Sequence, residues 1–197
     1  MSGAGDAIDV FAADEQSDQP VDLERWVALA RGVLAAEGVR PPAEVSLLFV
    51  DTETIAELNE RFLEREGPTD VLAFPIDEEP AGGGRAPDTG GPGPGGPGES
   101  EPPPQLVGDV VICPAVAAAN AIVHVGSYPG HAGHYADEIA LLVVHGLLHL
   151  RGWDHEEDAD AEAMEARERH LLGQLYARAA GGGAANGPVG MPAGTEP

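Results

Sequence analysis

The apolar run from Ile139 to Leu150 is broken only by His145, Gly146 and His149, and it continues as Arg151-Gly152-Trp153-Asp154-His155. A helix so apolar all round belongs in the middle of a domain. On a helix of about 3.6 residues per turn, positions four apart stack on one face, so His145 and His149 can share one cation. Gly152 permits the left-handed conformation that closes a helix, and the reversed chain can bring His155 back toward the other two. The sequence thus predicts a central helix over about 135–151 that carries three histidines out of the core to a cleft.

Three imidazoles with a fourth position left to water form the pattern of a catalytic zinc site, whereas structural sites close all four positions, commonly with cysteines. The one cysteine here is Cys113, at the end of a predicted strand, where it reads as a small buried hydrophobe. A cation held by the histidines would lower the pKa of a bound water from about 15.7 to about 7 and polarise a carbonyl or phosphoryl oxygen. The spacing also matches the zinc-protease pattern H-E-x-x-H-x-x-G-x-x-H at the histidines and at Gly152. The glutamate position holds Gly146, so the general base of zinc peptidases is missing and peptide hydrolysis is disfavoured.

A length of 197 residues suits one domain able to bury a core without disulfides. Residues 80–104 contain 9 glycines and 8 prolines, which cannot bury enough apolar area to offset ordering entropy, so they read as a disordered insertion. Residues 179–197 read as a disordered tail, which leaves one domain over 1–178. The net charge of −24 arises from 34 acidic residues against 10 basic ones, all arginine, and argues against a broad phosphate-binding surface. Nineteen of the acids fall in 1–20, 77–104 and 153–168, so the remaining surface is closer to balance. No basic flank followed by an apolar run opens the chain, and no stretch approaches the ~20 apolar residues of a membrane span. A cytoplasmic protein with no membrane partner is expected.

Strands are predicted at Ile8 to Ala12, Val45 to Val50, Asp70 to Phe74 and Val107 to Cys113. Helical spacing links Leu23, Trp26, Val27, Ala30 and Leu34 before Gly38. Asp51 is placed to cap a helix with Ile55, Leu58 and Phe62 on its inner side, which Gly67-Pro68 ends. Pro114 suits the first turn of a short helix to about Val123, and a last helix over about 156–178 carries Met164, Leu171 and Leu175 as its core stripe. This order gives an α+β domain, a small mixed sheet packed with helices, whose central helix is like that of a zinc hydrolase. The strand order is left open.

His145-Gly146-Leu147-Leu148-His149-Leu150-Arg151-Gly152-Trp153-Asp154-His155 resembles the signature H-G-x-L-H-L-x-G-Y-D-H of the YbeY family of bacterial endoribonucleases, with Trp153 in place of tyrosine. Pro68-Thr69-Asp70-Val71-Leu72-Ala73-Phe74-Pro75 is similar to that family's P-T-(D/N)-V-L-S-F-P, and Gly108-Asp109-Val110-Val111-Ile112 to its G-D-(I/L)-x-I. The resemblance implies one Zn2+ per chain bound by His145, His149 and His155, and action on single-stranded RNA. It further implies maturation of the 16S rRNA 3′ end, ribosome quality control and small-subunit ribosomal proteins as partners. One departure stands out. The family often has arginine in N-x-x-(Y/F)-R, where this chain has Leu63 after Asn59-Glu60-Arg61-Phe62. The catalytic arginine is therefore unassigned: Arg65 is the candidate to reach the same cleft, with Arg61 and Arg151 as further candidates for a substrate phosphate. Either water or a ribose 2′-hydroxyl can serve as nucleophile. The alternative to a nuclease is a ribosome-assembly factor with a largely structural metal; a metallopeptidase rests on histidine spacing alone.

Overall fold

A computed structural model describes residues 7–76, 103–155 and 157–176. Nearly all of the expected 80–104 insertion, the 179–197 tail, Glu156 and the last two residues of the expected final helix lie outside the described residues. Within them the chain is α+β, as expected. The elements are β1 (Ile8–Asp14), α1 (Leu23–Ala36), β2 (Ala43–Phe49), α2 (Thr52–Leu63), β3 (Val71–Pro75), β4 (Gln105–Ile112), α3 (Pro114–Asn120), α4 (Tyr135–Leu150) and α5 (Asp158–Leu171). A single π-helical turn, Leu172–Tyr176, follows α5.

The sheet order, which the sequence leaves open, is β1-β2-β4-β3. β1, β2 and β4 run parallel, and β3 closes one edge antiparallel to β4. A parallel pair needs a crossover between its strands, and α1 supplies it between β1 and β2. Alternation along the strands divides the core in two. Val45, Leu47 and Phe49 of β2 and Val110 and Ile112 of β4 face the main core with α1 and α4, while Leu72 and Val111 join Ile55 in a smaller cluster on the other face. Asp51 caps α2 as expected, its carboxylate accepting from the Thr54 N–H at 2.8 Å.

α4 is buried on most sides, with Ile139, Ala140, Val143, Val144 and Leu148 fully enclosed. Each such large aliphatic side chain stabilises the fold by about 1.5–3 kcal/mol relative to exposure. Met164 and Cys113 are core residues, as expected. Phe62 departs from its expected inward position. It is 52% exposed and meets Phe74 of β3 at 5.1 Å, beyond which no further strand pairs among the described residues.

A polar cluster fixes the start of α4. The carboxylate of Glu138 is wholly buried and bonds His124 Nδ1 at 2.7 Å and His131 Nε2 at 3.0 Å. His131 Nδ1 accepts from the Gly133 N–H, so this imidazole is neutral and donates through Nε2. Asp137 beside it accepts from the backbone N–H groups of Ala132 and His134 and from the Tyr176 hydroxyl, which ties the loop before α4 to the chain's last described residue.

Candidate metal centre

His145 and His149 leave α4 one turn apart, with their Nε2 atoms 3.0 Å from each other. The helix then closes as the sequence predicts: Gly152 adopts φ +83°, its N–H bonds the His149 carbonyl, and the Trp153 N–H bonds that of Leu148. These paired bonds turn the chain back sharply. His155 consequently lies with its ring centroid 5.6 Å from that of His145 and 5.0 Å from that of His149. One nitrogen from each of the three histidines falls within 4.8 Å of the other two.

This donor set fits a tetrahedral zinc ion, whose nitrogen ligands at about 2.0–2.1 Å stand roughly 3.3 Å apart. His145 is already oriented for the task. Glu168 of α5, nearly buried, places Oε1 2.7 Å from His145 Nδ1. A carboxylate only accepts, so Nδ1 carries the proton and the Nε2 lone pair faces the other histidines. Burial pushes the His149 pKa down, and the neighbouring His145 and His155 push it the same way, against a backbone hydrogen bond to Trp153 and the charge of Asp154. A neutral imidazole is the form that binds a metal.

Gly146 sits where α4 crosses the sheet. A Cβ there would lie 2.6 Å from Val110 Cγ1 and 3.2 Å from Val110 Cγ2. A glutamate at this position, as in the zinc-protease pattern, would run into that strand residue. The loop to His155 is braced from the far side: the Trp153 indole N–H donates to Glu37 Oε2 at 3.0 Å, and Glu37 Oε1 accepts from Arg167 Nε at 2.7 Å.

The three histidines line a cleft of about 910 Å³, together with Asn59, Phe62, Leu63, Arg65 and Trp153. Arg65 therefore reaches the cleft that Leu63 also lines, while Arg61 and Arg151 are not among its lining residues. Arg61 instead holds its guanidinium 5.2 Å from the Phe62 ring, and Arg151 has a buried Nε with no hydrogen-bond partner among the described residues. Asn59, which the sequence offered only as part of a motif, is 5% exposed and donates from Nδ2 to the Gly67 carbonyl at 2.9 Å. Its own carbonyl accepts from the Arg65 N–H, and between them Glu64 takes the left-handed φ of 56°. Such a conformation costs a non-glycine residue about 1–2 kcal/mol, so the loop holding Arg65 is fixed by Asn59 rather than by its own preference. Glu168 was equally invisible in the sequence, where it sits among eight acids between residues 153 and 168.

A central helix that presents three converging imidazoles to a cleft, over a small mixed sheet, defines a class of α+β protein with a histidine cluster able to hold a metal ion. The family model described as Endoribonuclease YbeY matches residues 11–176, and the chain belongs to that family. Among similar proteins, Endoribonuclease YbeY of Salinispora tropica is 43% identical over 158 residues, covering 80% of this chain and 90% of that one. Endoribonuclease YbeY of Rhodococcus opacus is 40% identical over 162 residues, covering 82% and 79%. The solution structure of a Thermotoga maritima protein superimposes with a TM-score of 0.53 at 21% identity, covering 93% of this chain and 99% of that one, and shares the fold. No helix among the described residues is long and apolar enough to cross a membrane.

Proposed function

We propose that this protein is a zinc-dependent endoribonuclease that cuts single-stranded RNA, with 16S rRNA 3′-end maturation and ribosome quality control as its cellular work. The observation that carries the reading is the convergence of His145, His149 and His155, with Glu168 fixing the first, on a chain of an endoribonuclease family. The three histidines would hold the zinc. When bound, it would supply Lewis acidity toward a phosphoryl oxygen and bring the acidity of water into the neutral range. Glu168 keeps the His145 proton on Nδ1 and so its lone pair on the metal side. Arg65, which lines the same cleft, donates to the scissile phosphate, where negative charge grows during phosphoryl transfer. Small-subunit ribosomal proteins are the proposed partners, the cytoplasm the proposed location, and residues 1–178 the proposed single domain.

The net charge of −24 favours a second reading, in which the protein assists ribosome assembly by contacting basic ribosomal proteins and its metal is largely structural. Activity separates the two. The nuclease reading predicts cleavage of unpaired RNA that a chelator abolishes and zinc restores. Absence of cleavage by zinc-loaded protein, with rRNA processing in cells still supported by a folded His149→Ala variant, would establish the assembly reading instead.

A further inference from the structure

We infer that the Phe62 ring is a stacking platform for an unpaired nucleobase, placed in the same cleft as the three histidines. The inference rests on the RNA reading above and names how that site holds its substrate next to the reacting phosphate.

Phe62 is the penultimate residue of α2 and is 52% exposed, yet it is not loose. Phe74 meets it at 5.1 Å with the rings inclined by 66°, and the Arg61 guanidinium stands 5.2 Å from its centroid. An aromatic ring exposed to water loses the hydrophobic stabilisation of burial; here Arg61, which does not line the cleft, lies over the ring and Phe74 meets it at an angle, and about half of its surface stays exposed. A ring held in advance does not pay ordering entropy on binding. The cleft of about 910 Å³ lies at the upper end of the ~300–1,000 Å³ typical of ligand sites, which leaves room beyond a reacting phosphate. Phe62 lines that space.

Charge does not select the occupant. Arg65 lines the cleft, but so does Glu66, and the chain as a whole is acidic. A ring face is suited to a base because every nucleobase has a π surface, whatever the sequence. Unpaired RNA exposes those surfaces, whereas a duplex hides them by stacking its own bases. The platform thus supplies a preference for single strands that the acidic surface cannot supply by electrostatics.

The test is binding of a fluorescent single-stranded RNA dodecamer to the zinc-loaded full chain, read by rapid mixing before cleavage, with the RNA confirmed intact on a denaturing gel. Wild type is compared with Phe62→Ala, Phe62→Leu and Phe62→Trp, each checked for thermal unfolding. The platform predicts affinity weakened about 5- to 150-fold in the alanine and leucine variants, and retained in the tryptophan variant. A leucine variant binding as tightly as wild type would overturn the platform, because it keeps apolar bulk and lacks only the ring. So would an alanine variant of unchanged affinity. Wild-type protein that binds no single-stranded RNA would overturn the RNA reading itself, and the platform with it.

Discussion

Glu168 Oε1 lies 2.7 Å from His145 Nδ1, although the two residues are 23 positions apart and belong to different helices. The first of the proposed metal ligands on α4 is thereby oriented by α5, a helix that supplies none of the three histidines. Removing this partner frees the imidazole to rotate and to take either tautomer. Glu168→Ala is expected to weaken zinc affinity about 10- to 100-fold, measured by competition with a chelator, with Glu168→Gln recovering part of it through the amide oxygen. Equal affinities in wild type and the alanine variant would show that the contact is incidental.

Gly146 is required by packing. Alanine there drives a methyl group into Val110, and overpacking of this kind costs about 1–3 kcal/mol. Gly146→Ala should lower the urea midpoint accordingly, and Gly146→Glu should not yield a folded chain. A stable glutamate variant that cleaved polypeptides would instead show that only a side chain separates this site from a peptidase.

The histidine cluster was legible because it is local. The i, i+4 histidines, the glycine turn and His155 all lie within eleven residues, and helix geometry alone brings them together. The strand positions were legible as short apolar runs bounded by charged residues or proline, to within one or two residues at their ends. The sheet order was not, since pairing of β2 with β4 spans more than sixty residues and leaves no local mark. Nor were Glu168, Asn59 and the Glu138 cluster, each of which acts through a partner distant in sequence or through the loop it braces. Phe62 was misplaced for a related reason. Its helical spacing marks it as inward, but among the described residues the sheet ends at β3, and periodicity does not reveal where a sheet ends.

Asp137 gives an acid-sensitive contribution to stability. Burial pushes its carboxyl pKa up, but hydrogen bonds from the Ala132 N–H, the Tyr176 hydroxyl and the His134 N–H outweigh that and hold it below 3.8. A depressed carboxyl stabilises the fold above its unfolded pKa and loses that contribution as pH falls through the folded value. The stability difference between wild type and Asp137→Asn should therefore be constant from pH 7 to about 5 and shrink below about 4, read by urea unfolding. A difference that grew toward low pH would contradict the assignment.

Arg65 and Leu63 both line the cleft, and of the two Arg65 carries a charge. If Arg65 donates to the phosphate as charge develops, Arg65→Ala should lower kcat by about 10²- to 10³-fold with a smaller change in KM. Leu63→Arg in that background is expected to restore part of the rate. Unchanged kcat in Arg65→Ala would remove the residue from the reaction.

The central claim is that His145, His149 and His155 hold one zinc ion on which RNA cleavage depends. The most direct measurement is zinc content together with single-stranded RNA cleavage by the purified chain and by a His149→Ala variant confirmed as folded. The account predicts one zinc per chain and cleavage in the wild type, with both lost in the variant. A variant that cut RNA at the wild-type rate without zinc would contradict it.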